Sequence, residues 1–224
     1  MNMNTKIWRV TLLVLTTITS IVFLLNPFAS SLGASFSAEA APLLAVNACS
    51  ADVFINEIHY DNAGADAGEF VEVAGPAGTD LSGWSLVFYN GSGGASYGSP
   101  DPLSLSGIID NEANGFGAVS FSRSGIQNGG PDGVALTDGT NLCQFLSYEG
   151  AFIATNGIAN GVSSTDIGVK ESNATTQAGH SLQLEGNGTS SSDFTWAAPS
   201  AESPGDLNTG QSFNLLPTLT LSKS

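Results

Sequence analysis

Positive charge is the scarcest resource in this chain: 5 Lys and Arg stand against 20 Asp and Glu in 224 residues, a net charge of −15. Phosphate neutralisation by Lys and Arg supplies most non-specific nucleic-acid affinity, so this balance disfavours direct binding to nucleic acid or to anionic lipid headgroups. Histidine is equally sparse. His59 and His180 are the only two and lie far apart, which argues against a histidine-built zinc site. No Gly-x-Ser-x-Gly elbow occurs, and neither histidine sits where a Ser-His-Asp hydrolase would need an activating base. A metal-dependent nuclease would also need basic groups for its substrate. No amphipathic helical repeat runs through the chain, and the Cys count is 2.

What is present begins with an export signal. Lys6 and Arg9 form a positive start, and Val10 to Leu25 is an uncharged apolar run. That run is shorter than the ~20 residues that usually span a bilayer, so it reads as a cleavable signal peptide over residues 1–40, with Ala38 and Ala40 placing the cut before Ala41. After cleavage only Arg123, Lys170 and Lys223 remain as cations. Residues 41–51 read as a linker, 52–213 as one domain, and 214–224 as a tail in which Thr218 to Leu221 is strand-like. In an exported chain the pair Cys49 and Cys143 is expected to form a disulfide that staples the domain's start to a late strand.

Short β-patterned runs, separated by Gly, Asn, Asp, Ser and Pro clusters, fill the domain and predict an all-β, immunoglobulin-like antiparallel β-sandwich of eight or nine strands. They are Val53 to Tyr60, Glu69 to Ala74, Trp84 to Asn90, Leu103 to Ile109, Ala118 to Phe121, Gly133 to Thr137, Cys143 to Tyr148, Ser181 to Glu185 and Phe194 to Trp196, with a short strand around Ile167 to Val169. Alternation puts Val71 and Val73 on one face, and Trp84, Leu86 and Phe88 together on another. Asn90-Gly91 and Asp138-Gly139 are hairpin signals, the first opening a longer loop. Pro199, Pro204 and Asn208 are expected to end the periodic region. The long polar segment from Ala151 to Gly179 is expected to be a functional or mobile loop.

Three linked elements carry a resemblance: Phe54-Ile55-Asn56-Glu57-Ile58-His59-Tyr60, then Gly68-Glu69-Phe70-Val71-Glu72-Val73, then Asp80-Leu81-Ser82-Gly83-Trp84. Together with Pro131-Asp132-Gly133 and Ser203-Pro204-Gly205-Asp206-Leu207-Asn208, they resemble the lamin-tail-like domain of bacterial extracellular proteins over roughly Asp52 to Phe213. The resemblance implies an immunoglobulin-like sandwich serving as an accessory or interaction module. It transfers no catalytic residues.

Candidate chemistry is therefore limited. Asp61, Asp66 and Glu69, near His59, form an oxygen-rich loop of the kind that can hold Ca²⁺, although Asp and Asn are also ordinary turn residues. Glu57, Glu69 and Glu72 raise the question of a paired-carboxylate glycosidase, but strand alternation assigns them to the solvent face. Tyr89 and Tyr97 are expected as exposed edge aromatics able to stack on a carbohydrate. Asn90-Gly91-Ser92, Asn173-Ala174-Thr175 and Asn187-Gly188-Thr189 match glycosylation sequons and mark loops. The expected function is a secreted, non-catalytic module that contacts an extracellular protein, glycan or surface, with no cofactor unless calcium. The alternatives are the N-terminal module of a truncated secreted nuclease or phosphatase, and a calcium-dependent adhesion module.

Overall fold

The computed structural model describes residues 49–214; the expected signal peptide, most of the expected linker and the Thr218 to Leu221 tail lie outside them. The described chain is a β-sandwich of two sheets. One sheet has the order β11-β10-β1-β2-β6, built from β11 (Phe194–Ala201), β10 (His180–Gly188), β1 (Phe54–His59), β2 (Phe70–Pro76) and β6 (Phe116–Ser122). The other has the order β4-β3-β7-β8-β9, built from β4 (Ala95–Tyr97), β3 (Ser85–Asn90), β7 (Asp132–Thr137), β8 (Leu142–Tyr148) and β9 (Thr165–Asp166). Two short strands lie off these paths: β5 (Leu103–Ser104) pairs β3, and β12 (Gln211–Phe213) pairs β10. Pairing is antiparallel except that β9 runs parallel to β8 and β12 parallel to β10. No helix among the described residues is long and apolar enough to cross a membrane.

The inward faces are those that alternation predicts. Val71 and Val73 from one sheet meet Trp84, Leu86 and Phe88 from the other in a single buried cluster with Val134 and Leu136. Ile55 and Ile58 also enter this core although their spacing of three cannot keep both on one face of a regular strand. A bulge between Ile55 and Glu57 absorbs the extra residue. Its second consequence is that Glu57 stands directly opposite Glu72. The Ile55 amide turns away to the Gln144 Oε1 of the facing sheet at 2.7 Å.

Several boundaries move. The Leu103 to Ile109 run forms a strand only over Leu103–Ser104, with an isolated bridge from Ile108 to Asp80, and Leu105 and Ile109 bury as loop residues. The strand expected at Ile167 to Val169 lies two residues earlier, at Thr165–Asp166. Pro199 does not end the pattern; it sits inside β11, an edge strand where a missing amide is tolerated. Asp138-Gly139 opens a four-residue connection from Thr137 to Leu142, in which Asp138 accepts the Thr140 and Asn141 amides at 3.0 and 2.7 Å.

Neither outer face is left to solvent, which is the main departure from a simple two-layer sandwich. Phe213, 1% exposed, closes a second cluster on the outside of the first sheet. Its ring lies 4.5 Å from Phe116 and 5.2 Å from Phe194, centroid to centroid. The segment 151–164 covers the outside of the second sheet, where Tyr89, Phe145, Ala154 and Ala159 form a third cluster. This segment is a pinned cover: Thr155 N donates to the Gly94 carbonyl at 2.7 Å, and Asn156 Oδ1 accepts the Ser96 amide at 2.8 Å. The Cys49–Cys143 disulfide, with Cα atoms 5.7 Å apart, ties the chain's entry to β8. Cys49 and Ala51, placed in the linker by sequence, pack against the main core.

Candidate functional site

The sequence-predicted site lies where β1 leaves the sheet and the 61–69 loop begins. His59 is wholly buried, and its Nδ1 donates to Glu171 Oε1 at 2.8 Å while its Nε2 faces the Ala67 carbonyl at 3.1 Å. Both partners are acceptors, a geometry that the doubly protonated imidazolium satisfies in full. Burial pulls its pKa down, but the hydrogen bond and charge of Glu171, with the Ala67 carbonyl, outweigh burial and hold it above the ordinary value. The other Glu171 oxygen accepts the amides of Tyr60 and Asp61, the latter at 2.8 Å. Tyr60 stacks on Tyr148 with centroids 3.8 Å apart, and its hydroxyl accepts the Glu171 amide at 2.9 Å. A histidine so held has no lone pair for a base or a metal ligand. Glu171, inside the weakly patterned segment, is the residue that sequence reasoning missed; its partner is 112 positions away, and no local signal links them.

Of the three candidate cation ligands, the fold brings two together. The Asp61 carboxyl comes within hydrogen-bonding reach of Asp66; burial first, then the Asp66 charge, raises the Asp61 pKa. Asp61 is 5% exposed and its Oδ1 accepts no hydrogen bond. Asp66 is exposed and takes the Asn128 Nδ2 at 3.1 Å. Glu69 turns elsewhere, its Oε2 accepting the Gly125 amide at 2.7 Å. Among the described residues, the one set of three His, Cys, Asp or Glu with ligand atoms mutually within 4.8 Å is Cys49, Asp138 and Cys143, whose two sulfurs are already joined.

The glutamates are not on a solvent face. Glu69 is 9% exposed, and Glu57 and Glu72 are 0% exposed because the segment 202–211 lies over them on the outside of the first sheet. That strap is held by backbone amides donating to carboxylates: Ser203 to Glu57 at 3.0 Å, Gly205 to Glu72 at 2.7 Å and Leu207 to Glu112 at 2.6 Å. Asn208 fastens it further, its Nδ2 donating to the Asn56 and Leu184 carbonyls. Burial, reinforced by the charges of Glu57 and Glu112 and opposed by the Asn56 and Gly205 hydrogen bonds, pushes Glu72 up to about 8. Glu57 is also raised by burial, against donors from Ser181, Ser203 and Gln183. The pair is sealed beneath the strap and has no room for a sugar ring.

Tyr89 is likewise buried, contrary to its expected role as an edge aromatic. Its hydroxyl donates to the Asn156 carbonyl and accepts the Ala159 amide, both at 3.2 Å. Tyr97 is half-buried and accepts the Gln127 amide at 2.9 Å. Among exposed polar residues such as Thr155 and Asn160, the cover segment presents three aliphatics to solvent: Ile153 is 59% exposed, Val162 41% and Ile158 36%. Beside Ile158 runs a crevice of about 250 Å³, with Val87, Pro102 and Thr137 among its walls. A second, polar crevice of about 270 Å³ is lined by Asn90, Gln127, Asn128 and Asp132.

No family model matches the chain, and neither does any curated protein or solved structure.

Proposed function

We propose that this chain is an exported, non-catalytic contact module of the lamin-tail-like kind, and that it engages an extracellular protein through the 151–164 cover. The observation that carries this reading is the row of exposed branched aliphatics, Ile153, Ile158 and Val162, on a segment otherwise pinned to the sheet. Rigid apolar side chains standing on a fixed backbone lose little conformational entropy on binding, which favours contact. A protein is favoured over a glycan because Tyr89, expected from sequence as a carbohydrate-stacking aromatic, is committed to the interior. The groups with chemical potential support the non-catalytic half: His59 donates through both nitrogens, and Glu57, Glu72 and Glu171 each accept backbone amides. The export signal and the lamin-tail-like motifs supply the setting.

The test uses immobilised protein against extracellular extract and a glycan array, with the double variant Ile153→Asp/Ile158→Asp as control. The variant is expected to melt within a degree or two of the parent, since both side chains are exposed, and to capture its protein partner at least tenfold more weakly. Equal capture by the variant, selective glycan binding, or hydrolysis of DNA or a phosphoester by the purified protein would each overturn the reading.

A further inference from the structure

The mouth of the sandwich where β1 ends holds a charge imbalance that its neighbours do not resolve. The imidazolium of His59 is consumed by Glu171, and Lys170 pairs with Glu149 at 3.5 Å; these are the ion pairs present among the described residues. Asp61 and Asp66 are thus left facing each other without a cation. Asp61 is 5% exposed, and its Oδ1 is buried with no donor. An acceptor taken out of water and left unpaired is costly, and a second carboxylate beside it compounds that cost.

The surrounding loop is organised around this pair. Asn62, 2% exposed, ties the turn together: its Nδ2 donates to the Ala63 and Ala65 carbonyls at 3.2 and 3.1 Å, and its Oδ1 accepts the Ala67 amide at 3.0 Å. The effect is to return the chain so that Asp66 stands against Asp61. A second segment closes from the other side, where Ala63 N donates to the Thr176 carbonyl at 2.8 Å and the Asn173 backbone lies against the Asp61 carboxyl. Neither thiolate nor imidazole is on offer, since His59 has no free lone pair and the cysteines are bridged. The donors are oxygens alone, which selects a hard cation.

We propose that Asp61 and Asp66 hold a divalent cation of the calcium class, with water and main-chain oxygen completing its shell, and that the ion fastens the 61–67 loop to the 171–176 segment. Calcium is preferred to magnesium because two carboxylates on a loop do not impose the near-ideal octahedron that magnesium demands. Glu69 is outside the ligand set, its carboxylate being held by Gly125. The inference stands apart from the proposed protein contact, which uses the opposite, aliphatic segment.

The experiment is thermal unfolding and calorimetric titration of the full chain, stripped with chelator and then given CaCl₂ or MgCl₂ to about 10 mM, a range that covers the weak sites of extracellular modules. The melting temperature is expected to climb with calcium, to climb less with equal magnesium, and to lose its calcium response in Asp61→Asn and Asp66→Asn. Both variants should fold without metal, because an amide relieves the carboxylate repulsion, and Glu69→Gln should retain the parent's response. No heat and no shift in the parent would overturn the proposal. A calcium response in Asp61→Asn equal to the parent's would do the same, and loss of response in Glu69→Gln would refute the two-carboxylate assignment.

Discussion

The most informative perturbation of the fold is Glu72→Gln. Glu72 is 0% exposed, opposite Glu57, and is pushed up to about 8 from an ordinary 4.5. Folding therefore takes up a proton at neutral pH, and stability falls as pH rises, with the decline starting above 4.5 and complete once the folded carboxyl ionises near 8. The displacement corresponds to about 5 kcal/mol across that window, a large part of the roughly 5–15 kcal/mol that holds a domain together. Asp132, raised to about 6 by burial first and then by the Glu149 charge, adds a smaller decline of the same sign. A glutamine at position 72 keeps one acceptor for the Gly205 amide and removes the charge. Urea unfolding at pH 5 and pH 8 should show the parent losing about 4 kcal/mol more than Glu72→Gln over this interval. If the two proteins lose stability in parallel, Glu72 ionises in place without penalty and the reasoning about the strap is wrong.

Other outcomes follow from the same structure. Replacing Cys49 and Cys143 by serine opens a bridge spanning 94 positions and should lower stability by about 4 kcal/mol, read by denaturation with and without reductant. Phe213→Ala empties the centre of the outer cluster and should cost about 3 kcal/mol or more, with proteolysis near residues 202–213 rising in step. His59→Gln leaves Glu171 buried with one donor fewer and should cost about 3 kcal/mol at pH 6. Because folding raises the His59 pKa, its contribution is full below 6.5 and fades as pH climbs through the folded value, so the parent and variant should converge at alkaline pH. Gly94→Ala should destabilise the cover, since Gly94 has φ +72° and an added Cβ would lie 2.2 Å from the Ile153 carbonyl; accelerated amide exchange at Thr155 is the readout.

The inward half of this protein was legible from its order of residues. Val71, Val73, Leu86 and Phe88 reach the core because a pleated strand sends alternate side chains to opposite sides, and that rule needs only neighbours in the chain. The pairing of Cys49 with Cys143 was expected from there being two cysteines in a chain read as exported. For the candidate site, the closeness of Asp61 and Asp66 was legible as a local turn, whereas the Gly125 amide that meets Glu69 comes from 56 positions away and left no local signal.

The outward half was decided only by tertiary structure. Alternation says that Glu57, Glu72 and Tyr89 point away from the central core; it cannot say whether anything covers them. Two segments without periodicity, 151–164 and 202–213, provide that cover, and many of the bonds that pin them are made by backbone amides and carbonyls, which every residue carries alike. The same holds for His59: its protonation state rests on Glu171, brought to it from 112 positions along the chain. Contacts made by peptide groups, or between side chains far apart in order, leave no local pattern, so burial, charge and protonation on the outer faces emerge only when the whole chain is folded.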